Sequence, residues 1–196
     1  MNSPARRPDP DCLVYREVTQ GDLRKLAATS NDTPSGGGAR DLRFPVTVFR
    51  PVMERIFTTA KTVRGRQVRA ATITYRDASG QVHTTELEYW PATPSRPRED
   101  RVARVHACPA LGGSVPSTGR GRVFVVLTRY TTGDVRCDYA YEDDLRAQSG
   151  WPSLVCQVIL GCLAKTDEKN AGRSAGLAPI QGYYDFINGT EFCYAE

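Results

Sequence analysis

The chain has 196 residues, 40% of them hydrophobic and 24% charged, with a net charge of +4. That length and apolar content suit one packed domain, and no window approaches the run of about 18 apolar residues that a membrane-spanning helix requires. The opening MNSPARRPDP holds no apolar signal core, so the expectation is a soluble, cytoplasmic protein with no membrane partner.

Residues 1–11 are rich in proline and charge and are expected to be a disordered tail. CLVYREVT (12–19) alternates as a strand, and QGDLRKLAAT reads as a turn with a short helix. TSNDTPSGGGAR (29–40) then places Gly36, Gly37 and Gly38 between a polar cluster and the strand RDLRFPVTVF. Such a run is either a loose linker or a place where the backbone approaches something closely. PVMERIF follows as a proline-initiated helical turn, with Val52, Ile56 and Phe57 expected to face inward.

The middle of the chain is strongly β. RQVRAATITYRDASGQVHTTELEYW (66–90) gives two alternating segments joined by a DASG hairpin. Proline-rich PATPSRPRED leads into RVARVHAC (101–108), read as a strand. A glycine- and serine-rich loop, the apolar strand RVFVVLTRY, a TTGD turn and VRCDYAYE complete this part. Seven or so short strands predict a mainly β fold with flanking helices, as a closed or nearly closed barrel over residues 12–148. WPSLVCQVILGCLAK (151–165) has apolar residues at helical spacing, so residues 149–196 are expected to be a helical extension packed on the barrel.

Six cysteines (Cys12, Cys108, Cys137, Cys156, Cys162, Cys193) show no CxxC pairing, and no histidine stands at ligand spacing, which argues against zinc. They are read as scattered, mostly buried thiols. His83 and His106 fall in predicted strands without a nucleophile motif nearby and are assigned structural roles. Glycine-rich nucleotide-binding motifs are absent, so no cofactor is expected. The acidic EDD (142–144) before Leu145 reads as charge at a helix N-terminus.

Arginine dominates the basic residues, lysine being confined to Lys25, Lys61, Lys165 and Lys169. A GC-rich coding bias favours arginine too, so its distribution is more informative than its number. Arg96, Arg98, Arg101 and Arg104 cluster around Pro97 and Glu99, and prolines 91, 94 and 97 hold the segment extended like a rigid arm. The guanidinium fork matches phosphate oxygens and the O6/N7 edge of guanine, while Glu99 suits cytosine N4 or a neighbouring guanidinium. The 29–43 segment offers a second arm, in which glycine backbone approaches phosphate and Asn31, Asp32, Thr33, Arg40 and Arg43 supply contacts.

The order of these pieces, from VYREVT through NDT and GGG, the PVMERIF turn and the arm ending in RVAR, resembles the N-terminal effector-binding domain of the EcoRII restriction endonuclease family. The similarity spans residues 12–148. It implies a seven-stranded DNA-binding pseudobarrel, similar to plant B-three domains, that grips the major groove with two arms. Carried over, one arm is Ser30, Asn31, Asp32, Thr33, Gly36, Gly37 and Gly38 with Arg40 beyond; the other is Arg96, Arg98, Glu99 and Arg101 with Arg104 adjacent. Asp100 departs from the pattern, standing where a basic residue would help. The tail is too short for the endonuclease domain, so the resemblance implies a sequence-specific double-stranded DNA-binding protein of a restriction or phage-defence system. Catalysis would then belong to a separate nuclease or other defence subunit.

Two other readings remain open at this level. One is a Mg-dependent nuclease using Glu86, Glu88 or Asp143; the other is an adaptor β-barrel docking a protein through the 151–165 helix.

Overall fold

The first strand, β1 (Pro10–Glu17), is buried along almost its whole length, because both of its faces are covered. Cys12 and Val14 enter one apolar cluster and Leu13 and Tyr15 another. This computed structural model describes residues 8–27, 41–45, 48–94, 97, 99–103, 105–111, 116, 119–170 and 179–194. Of residues 24–27, 99, 106, 170 and 194 it describes the backbone alone.

After β1 come helix α1 (Gln20–Ala27), β2 (Leu42–Pro45), helix α2 (Arg50–Ile56), β3 (Thr59–Val63), β4 (Arg66–Arg76), β5 (Val82–Trp90) and β6 (Glu99–Ala103). Two 3-10 turns, Val105–Ala107 and Pro109–Leu111, lead to β7 (Val123–Tyr130), β8 (Val135–Tyr141), helix α3 (Glu142–Arg146), helix α4 (Ser153–Asn170), β9 (Gln181–Asp185) and β10 (Thr190–Tyr194). The strands form one curled mixed sheet, a half-barrel, in the order β10-β9-β1-β7-β8-β4-β5-β6-β2, with β3 pairing β4 off this path. Neighbours pair antiparallel, except β4 and β8, which meet in parallel at Ile73 and Val135.

Among the described residues the sheet is open between β2 and β10, and α2 packs against β1 and β7. Val52, Met53, Ile56 and the following Phe57 are buried inside the curl, as the spacing of PVMERIF predicts. Phe49, just before α2, meets Tyr183 and Phe192 of the β9–β10 hairpin at ring-centroid distances of 5.8 and 5.7 Å, and Phe44 of β2 at 5.3 Å. Ion pairs add direction to this apolar plug. Arg55 reaches Asp11 of β1 and, at 2.5 Å, Asp185 of β9, and Arg129 of β7 shares Asp11.

The outer face of β1, β7 and β8 is covered by α3 and α4, where Leu145, Val155, Cys156, Ile159 and Leu163 bury against Leu13, Phe124 and Val126. EDD lies in the first turn of α3, favourable to the helix dipole. At α1, Thr19 and Asp22 form a capping box: Thr19 N donates to Asp22 Oδ2 at 3.1 Å and Asp22 N to Thr19 Oγ1 at 3.2 Å.

Several expectations need correction. The strands exceed seven, because β3 lies ahead of the segment taken as the first half of the DASG hairpin and two more strands follow α4. Residues 149–196 therefore supply β9 and β10 to the sheet as well as a helix, and β1 begins at Pro10, within the stretch expected to be tail. RVARVHAC is a strand only as far as Ala103, and the His106 backbone belongs to a 3-10 turn. Cys12, Cys108, Cys137 and Cys156 are buried free thiols, but Cys162 and Cys193 form a disulfide that ties α4 to β10.

Candidate nucleic-acid interface

Strand alternation decides where the arginines point. In β2, exposed Arg43 stands between buried Leu42 and Phe44; in β6, half-buried Arg101 stands between Asp100 and Val102, which are fully enclosed. Arg43 is the register partner of Arg101, and Arg101 is the partner of Trp90 at the end of β5. Directly opposed residues share a face. Three strands thus present Arg43, Arg101 and Trp90 in one row on the outer face, beyond the part that α3 and α4 cover.

Arg101 is held in place within this row. Its Nη1 donates to Asp41 Oδ2 at 3.0 Å, and its guanidinium carbon lies 5.5 Å from the centre of the Trp90 ring, within cation–π range. Trp90 Nε1 in turn donates to Glu88 Oε2 at 3.0 Å.

The β3–β4 hairpin rises beside this row. Its turn is Arg64-Gly65, both with positive φ (50° and 73°), as two-residue hairpin turns demand. Glycine adopts that conformation freely, whereas an arginine there costs about 1–2 kcal/mol. Arg64 and Arg66 project from this tip, and both are exposed. Of the arginines whose side chains are described, these two alone make no side-chain hydrogen bond, ion pair or ring contact; the others meet a carboxylate, a carbonyl or an aromatic ring, or have another partner. Between the hairpin tip and the row lies a cavity of about 580 Å³. Val63, Trp90 and Ala103 give it an apolar lining, Arg64, Arg66 and Arg101 its cations, and Asp41 and Glu88 its acceptors.

Asp100, which seemed out of place in an arginine arm, belongs to the interior. Its side chain is wholly buried, accepting from Arg50 Nη2 at 3.0 Å, Ala92 N at 2.7 Å and the Tyr89 hydroxyl. Burial, followed by this carboxylate, pushes the Tyr89 phenol well above its usual range.

Of the sequence-predicted site residues, Arg43, Glu99 and Arg101 fall in the described strands, and the β2–β6 register brings Arg43 to Arg101. Glu99 opens β6 with its backbone paired to Pro45. Ser30, Asn31, Asp32, Thr33, Gly36, Gly37, Gly38 and Arg40, with Arg96, Arg98 and Arg104, lie outside the described residues. Sequence reasoning missed Arg64, Arg66, Asp41 and Trp90. The signal for the first two was present in TVRGRQV, where an arginine-glycine turn separates two stretches of β-formers.

Two of the acidic candidates are tied to a lysine. Glu86 and Glu88 both bind Lys61, the second at 2.9 Å, and among the described residues no group of three or more His, Cys, Asp or Glu could hold a metal. His83 Nε2 lies 2.8 Å from Asp77 Oδ2, and its ring stacks on Tyr75. Among the described residues no helix is long and apolar enough to cross a membrane. Comparison of the chain with protein-family models, with curated proteins and with solved structures gives no match in any of the three.

Proposed function

We propose that this protein is a sequence-specific double-stranded DNA-binding module that engages DNA through the outer face of β2, β6 and β5 and the β3–β4 hairpin. The observation that carries the reading is the pair of partnerless arginines, Arg64 and Arg66, beside Arg43 and Arg101 on a face the helices leave uncovered. The other described guanidinium groups are engaged within the protein, most of them by its own carboxylates, so a local cationic surplus fits a polyanion. Phosphate neutralisation by such residues supplies most of the affinity, and arginine forks reading guanine edges supply specificity. The curled sheet and the order of the sequence motifs support a pseudobarrel of the EcoRII effector-domain kind. On this reading Ser30, Asn31, Asp32, Thr33, Gly36, Gly37, Gly38 and Arg40 belong to one arm and Arg96, Arg98, Glu99 and Arg101 to the other, and a separate subunit of a restriction or phage-defence system performs any cleavage.

The adaptor reading has less support, because the apolar face of α4 on which it depends is buried against the sheet. The test is selection from randomised duplexes at roughly 100–150 mM salt, where non-specific phosphate attraction is already weakened. A short enriched motif, lost in Arg98→Ala and Arg101→Ala proteins, is the expected result. Absence of enrichment with only salt-labile binding would overturn it.

A further inference from the structure

The cavity beside Trp90 is more than phosphate contact requires. A duplex backbone passing over the hairpin tip would be served by Arg64 and Arg66 as they stand on the surface. Beside them, however, the chain forms a half-open cleft of about 580 Å³, within the range of roughly 300–1,000 Å³ typical of small-molecule sites. The three kinds of lining group differ in what they accept. Val63, Trp90 and Ala103 favour a flat apolar body. Arg101, already lying over Trp90, offers a second planar surface, and both indole and guanidinium planes stack on unpaired nucleobases. Asp41 and Glu88 are already engaged, the first by Arg101 and the second by Lys61 and Trp90 Nε1, but an ionised carboxylate has about four lone-pair sites and can accept an exocyclic amino group alongside its present partners. The Arg101–Asp41 pair cancels its own charge and Lys61 is shared by Glu86 and Glu88, so the cations left for a ligand are Arg64 and Arg66 at the mouth.

We propose that this cavity binds a single nucleotide, with its base against Trp90 and Arg101, an amino edge toward Asp41 or Glu88, and its phosphate between Arg64 and Arg66. The nucleotide has two sources, one swung out of a bound duplex and one free in solution. The site shares residues with the DNA-binding reading and rests on it only for the first source. A swung-out nucleotide leaves the stack at a cost that depends on the base pair it leaves. That dependence would add discrimination at a position no arm side chain reads.

The experiment uses the full chain carrying Trp151→Phe, so that Trp90 is its sole indole. Its fluorescence is followed during titration with dAMP, dCMP and inorganic phosphate. In parallel, duplexes of the selected sequence carry 2-aminopurine at successive positions and are added to the wild-type chain. The expected result is saturable quenching by a mononucleotide but not by phosphate, weakened roughly ten-fold or more in the Arg64→Ala/Arg66→Ala protein, or a rise in 2-aminopurine emission at one position that Trp90→Phe abolishes. Quenching identifies the free source and the 2-aminopurine rise the extruded one. Circular dichroism establishes that each variant is folded; if Trp151→Phe is not, the wild-type signal minus that of Trp90→Phe gives the same readout.

Equal quenching by phosphate reduces the cavity to an anion site and overturns the proposal. Duplex binding with neither signal also overturns it while leaving the DNA-binding reading standing. Mononucleotide quenching without duplex binding keeps the nucleotide site and removes that reading.

Discussion

Arg101 Nη1 meets Asp41 Oδ2 at 3.0 Å, and the pair ties the residue before β2 to the strand that carries the arginine cluster. With Trp90 beneath it, this guanidinium is fixed on the outer face before any ligand arrives, so little side-chain freedom remains to be lost on binding.

Arg101→Ala is therefore expected to weaken specific duplex binding by roughly ten-fold or more, the worth of one good fork-to-base contact at about 1–3 kcal/mol. Arg101→Lys should not restore it, because an ammonium lacks the planar fork. Fluorescence anisotropy on the selected duplex measures both. Unchanged affinity in a folded Arg101→Ala protein would remove β6 from the interface.

Arg64 and Arg66 make a different prediction. As backbone contacts they should contribute to all sequences alike, so each alanine variant should reduce the magnitude of the slope of log K against log salt by about 0.9 per phosphate released. Affinity for specific and random duplexes should fall by the same factor. A loss confined to the specific duplex would make them base readers instead.

How much of this was legible in the sequence depends on whether a signal was local. Alternation in 66–90 and the DASG turn marked β4 and β5, since Asp77 Oδ1 accepts from Ser79 N at 2.9 Å and Gln81 N at 3.0 Å, an entirely local closure. The β9–β10 hairpin has a local signal too, Asn188-Gly189 with Gly189 at φ 65°, but the helix before it drew attention to a terminal extension. Burial was less legible. β1 and β7 lose their alternation because the sheet covers one face and α4 the other, a tertiary effect that no single segment announces. Gly182 shows the same limit: a Cβ there would lie 2.3 Å from the Tyr15 hydroxyl and 2.4 Å from Phe192 O, so the position needs glycine because of two distant strands. The candidate site divides likewise. Arg43 and Arg101 were singled out as separate arm residues, while the register that joins them, and the side of β6 on which Asp100 falls, are properties of the folded sheet.

Asp100→Ala should cost the fold about 1–3 kcal/mol, because it leaves the Tyr89 hydroxyl and Ala92 N–H without their buried acceptor, while the part-exposed Arg50 can turn to water. Asp100→Asn keeps the shape and one acceptor oxygen and should cost less. Urea unfolding of the two variants gives the comparison, and a loss under 1 kcal/mol for the alanine variant would show that the pocket around Asp100 refills with water.

Acid should loosen the junction of β9 with α2. Burial raises the Asp185 carboxyl, but Arg55 and the amide and backbone N–H groups of Asn188 outweigh it and hold the pKa at about 2. Its unfolded value is about 3.9, so the folded state binds fewer protons between these limits. The stability this group contributes is complete above about pH 4 and is lost as pH falls toward 2. Asp185→Asn should flatten that part of the stability curve, measured by urea midpoints across the range. An unchanged curve would mean that other carboxylates carry the acid response.

The Cys162–Cys193 disulfide closes a segment of 31 residues in sequence separation and joins α4 to the edge strand β10. By the loop-entropy relation, a cross-link of that span stabilises by about 3–4 kcal/mol, chiefly by restricting the unfolded chain. Reduction should therefore lower the thermal midpoint, and the Cys162→Ala/Cys193→Ala protein should melt at the lower temperature with or without reductant. The four remaining cysteines are buried free thiols, so a reductant response that persists in the double variant would point to one of them in place of this bond. Because β10, among the described residues, pairs only with β9 along the sheet, the loosened element should be the β9–β10 hairpin first, and hydrogen exchange there should rise before exchange in β7. Uniform exchange across both strands would show instead that the bond stabilises the sheet as a single cooperative unit.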